Sequence, residues 1–310
     1  MSGVGGRAQG DADIAGMAPD IDPELEAAYN GRVAVPDYPA LVTRWRDVSA
    51  AIRGRDDIPR RLDLTYGRGA RYTLDLFGFG YGIPTRPLLI FVHGGGWQAM
   101  DKSTFSFLAQ PFATAGAAVA IPNYPLCPEA PLDVIAVALR RAIQTLWQEA
   151  PSLGLDRRRF VVAGHAAGGH LVAEMLCTRW PRVDRAMPVD SLRGGVAVSG
   201  LFDLEPLIHT SLNAALGLTP VAARRNSPMF RDPVPGASLT LAVGALESDA
   251  MHAQSARLAR GWAAMGAHET WIPLPGRHHF SALDALAEID HPLFHNALAR
   301  LGLSPMALDG

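Results

Sequence analysis

Phe160-Val161-Val162-Ala163-Gly164-His165-Ala166-Ala167-Gly168-Gly169-His170 joins a strand pattern to a helix pattern across a glycine-flanked turn. Its first four residues are continuously apolar, as in a strand buried on both faces. From Gly168 to Thr178 the pattern turns helical. Between the two lies Gly-x-x-x-Gly, where the flanking glycines let strand and helix approach closely. A turn of this kind holds its central residue strained and exposed, the context of a nucleophile elbow. The central residue here is Ala166, and a methyl group cannot attack a carbonyl. A phosphate-cradling loop is the rival reading. It is weak, because the G-x-G-x-x-G spacing is missing and no Lys-Ser/Thr follows the glycines.

Comparable apolar runs occur at Pro87 to Val92, Ala117 to Ile121, Gly195 to Val198 and Leu239 to Val243, with a last strand near Thr270 to Leu274. Helix-like stretches separate them: Ser103 to Ala115, Leu132 to Glu149 and Met251 to Met265. Such alternation predicts an α/β fold, a mostly parallel central sheet flanked by helices. Leu62 to Tyr66 and Tyr72 to Phe77 alternate around Gly67-Arg68-Gly69, a hairpin signal that adds antiparallel strands at one edge. Ahead of them, Asp22-Pro23-Glu24 reads as a helix start, and periodic apolar positions continue to Ile52. Residues 1–20 are expected to be a flexible tail, 21–58 a helical arm, and 59–310 one domain. No basic and apolar leader pattern opens the chain, and no internal repeat is visible.

In parallel sheets the working groups lie beyond the carboxyl ends of the strands. After the run ending at Val92 comes His93-Gly94-Gly95-Gly96-Trp97, whose glycines free backbone N–H groups to face an anion. After the Leu239 run comes Glu247-Ser248-Asp249. Glu247 is the candidate third member of a triad and Asp249 the candidate helix cap. After the last strand comes His278-His279-Phe280, with His279 the candidate base and His278 its neighbour. The chain order of position 166, acid and histidine is that of a Ser-acid-His triad. Zinc held by His93, His165 and His170 is disfavoured, since no H-E-x-x-H occurs.

Composition narrows the classes further. The 310 residues are 48% hydrophobic and 19% charged, which excludes a mainly disordered chain. No apolar run approaches the roughly 18–20 residues of a membrane helix. A formal charge of −2 gives no electrostatic reason to seek nucleic acid or an anionic membrane. Two cysteines, Cys127 and Cys177, lie outside any C-x-x-C. They fit a reducing, cytoplasmic setting. We expect a small-molecule substrate, no cofactor and no metal, and a homodimer is compatible with the sequence.

These motifs resemble the α/β-hydrolase family, with its HGG(G/Y)W oxyanion loop and GHSAG elbow, from about Leu62 to the C-terminus. A narrower resemblance is to the serine-type kynurenine formamidases (arylformamidases). It is carried by Val198 to Leu207, by Arg225-Asn226-Ser227-Pro228, and by Val243 to Ser248 with His252 and Gln254-Ser255. Three departures stand out: Gly96 replaces the usual tyrosine, Gly169 an alanine, and Glu247 the more frequent aspartate. The resemblance implies metal-free hydrolysis of an aryl formamide or small ester through an acyl-enzyme. A serine at position 166 would be the nucleophile, His279 the base and Glu247 its partner. N–H groups of Gly95, Gly96 and Ala167 would form the oxyanion hole. Trp97, Phe202 and His209 are candidate pocket walls, and 201–235 a candidate helical lid. Ala166 is read as an engineered replacement of that serine, leaving the chain nearly or wholly inactive. An HGGG-type carboxylesterase is one alternative. A natural, non-catalytic ligand-binding protein on the same fold is another.

Overall fold

The computed structural model describes residues 21–80 and 85–304; the expected tail at 1–20 lies outside them. Eight strands form one sheet: β1 (Arg60–Thr65), β2 (Thr73–Phe77), β3 (Arg86–Val92), β4 (Ala118–Pro122), β5 (Leu155–His165), β6 (Gly194–Val198), β7 (Ser238–Gly244) and β8 (His268–Leu274). Their spatial order is β1-β2-β4-β3-β5-β6-β7-β8, with β1 and β2 antiparallel and all pairings from β4 onward parallel. The helices are α1 (Pro23–Tyr29), α2 (Gly31–Ala34), α3 (Tyr38–Arg53), α4 (Ala109–Thr114), α5 (Leu132–Glu149), α6 (Ala167–Leu176), α7 (Asn213–Leu216), α8 (Pro220–Arg225), α9 (Asp249–Ala263) and α10 (Pro292–Arg300).

The continuous apolar runs are explained by burial on both faces. Leu88, Ile90 and Val92 of β3 join Phe160 and Val162 of β5 in one core layer, which also holds Ile135 and Leu139 of α5, Leu171 of α6 and Leu258 of α9. Leu89, Phe91, Val161 and Ala163 face the opposite layer, filled by Trp45 of α3, Phe112 of α4 and Phe294 of α10. Alternate residues of a strand point to opposite faces, so each run feeds both layers.

The amino-terminal arm docks through α3. Val42, Trp45, Ser49 and Ile52 recur at helical spacing and are buried. Trp45 Nε1 donates to Asp284 at 2.8 Å, and Ser49 Oγ donates to the Thr104 carbonyl at 2.8 Å. Arg53 and Lys102 both pair with the fully buried Asp75 of β2. Removing one partner of such a cluster would strand a buried charge.

Local chemistry shifted two expected elements. The Ser103 to Ala115 stretch is a 3-10 helix over Lys102–Leu108 followed by α4. Pro111 has no N–H, and the first turn of α4 is where a helix does not need one. In the edge hairpin the β1–β2 register shifts between Arg61 and Leu64. Asp63 there takes φ 57°, and its N–H donates to Asp75 Oδ1 at 2.9 Å.

Helix α6 runs back tightly over the sheet. A methyl group at Gly168 would lie 2.0 Å from the Val92 carbonyl oxygen, and one at Gly164 would lie 2.4 Å from the Gly168 backbone. Gly168→Ala is therefore expected to cost about 3 kcal/mol or more, or to prevent folding. Gly261→Ala, at an α9 position with nothing within 4 Å of the added carbon, is expected to stabilise by about 0.5–1 kcal/mol. Urea unfolding of the two variants tests both signs; equal stabilities would refute the packing argument.

Candidate active site

Residues at or just beyond the carboxyl ends of β3, β5, β6 and β8 line one cavity, and Glu247, after β7, reaches it through His279. Ala166 follows β5 directly and adopts φ 52°, ψ −116°, a strained conformation for a residue with a side chain. Its N–H donates to the Val198 carbonyl and its carbonyl accepts from His170 N, which pins the turn between β6 and α6. Position 167 opens α6, where backbone N–H groups lack intrahelical partners.

The loop after β3 lies alongside. A methyl at Gly94 would come within 3.3 Å of the Ala166 methyl carbon. Gly95 has φ +113°, and a side chain there would run into the Ala99 carbonyl at 2.2 Å, so glycine is required on both counts. The Tyr124 hydroxyl donates to the His93 carbonyl at 2.8 Å, and Cys127 N donates to the Trp97 carbonyl at 2.8 Å. The loop is thereby held from below.

From the other side, His279 Nδ1 lies 2.7 Å from Glu247 Oε2. The second carboxylate oxygen, Oε1, accepts from Ser199 Oγ at 2.5 Å and from Gly244 N at 2.7 Å. Burial pushes the Glu247 carboxyl up, but attraction to His279 and these hydrogen bonds outweigh it. Its pKa therefore lies below the ordinary value. An ionised carboxylate on Nδ1 fixes the imidazole with Nδ1–H toward Glu247, leaving Nε2 free to accept a proton. His279 and Ala166 line the same cavity. The Gly95-Gly96 loop and Ala167 line it too. An imidazole oriented by a carboxylate, beside a strained turn and a glycine loop, can support proton transfer and anion stabilisation.

Three residues expected as pocket walls are placed differently by the fold. Phe202 is fully buried, does not line the cavity and packs over Gly200; Leu201 reaches the cavity instead. His209 is exposed, and its carbonyl receives Asp22 N of the arm; Leu212 takes the place expected of it at the cavity. Trp97 touches the cavity but is fully buried, and its indole N–H donates to His170 Nδ1 at 3.3 Å. His170 Nε2 in turn donates to the Asn226 carbonyl at 2.7 Å. Trp97 thus clamps the glycine loop to α6 and to the 201–235 segment. Ser248, not Asp249, caps α9, accepting from Met251 N; Asp249 lies in the first turn.

Two contributors carry no sequence signal. His165, next to the elbow, donates from Nε2 to the His279 carbonyl at 2.7 Å and so fixes the histidine loop from beneath. The arm supplies a wall: Tyr29, Asn30, Gly31 and Arg32 line the cavity. Gly31 lies flat on the His279 ring, where a methyl group would sit 2.5 Å from Cδ2. The arm is held there by polar contacts, with Glu26 accepting from Ser211 N at 2.7 Å and Ser248 Oγ donating to the Ala28 carbonyl at 2.7 Å. His93, His165 and His170 each engage a backbone carbonyl. Among the described residues no group of three His, Cys, Asp or Glu is placed to hold a metal ion. No helix among them is long and apolar enough to cross a membrane.

The buried histidines predict acid sensitivity. Burial lowers His93 to about 4 and, aided by repulsion from His279, lowers His165 to about 3. In the unfolded chain both return to about 6.5. Between those values the unfolded state binds more protons. Their contribution is full above about pH 6.5 and falls as pH drops, by up to about 1.4 kcal/mol per pH unit each. Thermal melts from pH 7.5 to 4.5 should show Tm declining below 6.5, with a shallower slope in His165→Gln. A Tm that is level between pH 6.5 and 5 would contradict this.

Comparison with known proteins fits the architecture. A family model described as BD-FAE matches residues 74–187. Kynurenine formamidase of Danio rerio is 29% identical over 261 residues, covering 83% of this chain and 87% of that protein. Carboxylesterase NlhH of Mycobacterium tuberculosis is 32% identical over 90 residues, 29% of this chain and 28% of that one. A solved structure from Silicibacter sp. TM1040, whose thioesterase activity is a proposed assignment, superposes with a TM-score of 0.75 at 34% identity. It covers 87% of this chain and 97% of its own. Esterase B of Lactobacillus rhamnosis shares the fold, with a TM-score of 0.67 at 19% identity over 88% of this chain and 94% of its own. With this sheet order, the elbow after β5 and that similarity along most of its length, the chain belongs to the α/β-hydrolase family.

Proposed function

We propose that the site is that of a serine-type hydrolase of formamides or small esters, with alanine standing where the nucleophile belongs. The observation that carries this reading is the 2.7 Å Glu247–His279 pair sharing a cavity with the strained position 166. A pocket used only to bind has no need of an imidazole locked in the base tautomer by a buried carboxylate. That argues for loss of one oxygen from a catalytic site over a fold built for binding alone. On this reading the chain is a serine-to-alanine form that binds substrate and turns it over slowly or not at all.

In the competent form, the hydroxyl oxygen of a serine at position 166 attacks the substrate carbonyl while His279 Nε2 takes its proton. The tetrahedral oxyanion accepts from N–H groups of Gly95, Gly96 and Ala167, each such donor being worth about 3–4 kcal/mol in the transition state. His279 then protonates the leaving amine or alcohol, and water, deprotonated by the same imidazole, releases the acid. Glu247 holds the tautomer and stabilises the imidazolium. Formamide cleavage is favoured as the reaction because the kynurenine formamidase similarity extends over most of the chain, whereas the carboxylesterase similarity is confined to a shorter segment. Gly96 leaves the loop without the tyrosine usual in those enzymes and keeps ester substrates within reach.

Ala166→Ser is expected to raise hydrolysis of p-nitrophenyl acetate and of an N-formyl arylamine by about three orders of magnitude or more. Faster relative turnover of the formamide supports a formamidase, and the reverse a carboxylesterase. A well-folded serine form no faster than the alanine form on any acyl substrate would sink the reading. Within the serine form, Glu247→Gln should lower kcat by about 10³-fold or more, through a misoriented histidine. Asp249→Asn should change it less than about twofold, since surface substitutions of this kind have small effects. Steady-state kinetics on the pair would expose a wrong acid assignment if Asp249→Asn proved the more damaging.

A further inference from the structure

Among the described residues lining the active-site cavity, one carries a permanent charge. Arg32 is the sole Lys or Arg there, and no Asp or Glu faces it. It sits on α2 immediately after Gly31, the residue that lies on His279. Asn30 fixes where that helix begins: its side chain accepts from Arg32 N at 3.2 Å and donates to Glu26 at 2.7 Å and to Ser211 at 3.2 Å. The polar groups around Arg32 are therefore paired within the protein. The guanidinium itself makes one long contact, Nη2 to the Gly95 carbonyl at 3.5 Å. Among the described residues it meets no carboxylate, although other arginines on this arm, Arg44 and Arg53, do. A guanidinium carries five N–H donors in a planar fork, and a 3.5 Å contact satisfies one of them poorly. The remaining donors stand half-buried at the cavity, beside the loop that would hold the oxyanion.

We propose that Arg32 is a specificity-determining residue. It selects acyl or formyl substrates that carry a carboxylate close to the scissile carbonyl, and binds that carboxylate through its guanidinium fork. The inference rests on the hydrolase reading for the word substrate, but the ligand chemistry follows from the cavity alone. A planar fork matches a carboxylate with two parallel hydrogen bonds, which a lysine ammonium does not reproduce. A neutral ester offers it no counterpart.

The test uses paired probes of similar shape, 2-formamidobenzoate and the uncharged formanilide. Calorimetric titration of the chain as it stands should show the carboxylate binding about 10-fold or more tightly than formanilide, the scale of a charge-assisted hydrogen bond. The ratio should collapse toward one in Arg32→Gln and recover in part in Arg32→Lys. It should also shrink as salt is raised. In Ala166→Ser the same ratio should appear in kcat/KM and shrink with Arg32→Gln. Equal affinities for the two probes, or no measurable binding of the carboxylate, would overturn the proposal. So would an equal loss of both in Arg32→Gln, which would assign Arg32 to arm docking. If the serine form hydrolyses both probes with no preference, Arg32 is misassigned and the hydrolase reading stands. If it hydrolyses nothing while titration still shows an Arg32-dependent preference, the hydrolase reading fails and the anion site stands.

Discussion

The approach of α6 to the carboxyl ends of β3 and β5 is the constraint on which this site is built. Backbone contacts backbone at Gly168 and Gly164, with no room for a methyl group at either. Only with the helix this close can the chain reverse within one residue after β5. That reversal forces position 166 into φ 52° and sets its side chain at the cavity. A looser turn would relax the strain and withdraw the side chain. The strain is stored locally and held by hydrogen bonds to Val198 and His170.

A second layer of order surrounds that turn and is made of histidines outside the proposed triad. His165 holds the carbonyl of His279, and His170 links Trp97 to Asn226. His93 stacks between Tyr124 and Phe105. Each is buried, and burial keeps the imidazole neutral. A neutral imidazole has one donor and one acceptor, so the 279 loop, the glycine loop and the 201–235 segment are tied together by directional bonds rather than by charge. Glu247 is the exception. It is buried and ionised, and its two oxygens are saturated by His279, Ser199 and Gly244, which makes burial of that charge tolerable.

The amino-terminal arm completes the cavity without contributing chemistry to the proposed triad. α1 and α2 bury little and are attached mainly through polar contacts to the Ser211 and Ser248 regions. They close the cavity over His279, with Gly31 lying on the ring because nothing larger than hydrogen fits. An attachment of this kind is weaker than the apolar seam of α3, so the site's roof is less firmly fixed than its floor.

The sheet, the elbow, the glycine loop and the acid and histidine positions were legible in the amino-acid order, because each rests on local pattern. Runs such as Pro87 to Val92 are continuously apolar since both faces are buried. Gly164-x-x-x-Gly168 is legible because close packing of adjacent elements must be written in adjacent residues. Which aromatic reached the cavity was settled by packing in three dimensions. Phe202 and Trp97 look alike as candidates, yet one packs over Gly200 and the other bonds to His170. Only the fold could show that Gly31 and Arg32, about 130 residues before the elbow, roof the site. The same holds for His209, which offers only its carbonyl to the arm. Those contacts join segments distant along the chain, through shape and backbone geometry. Neither leaves a periodicity or a motif at the positions involved.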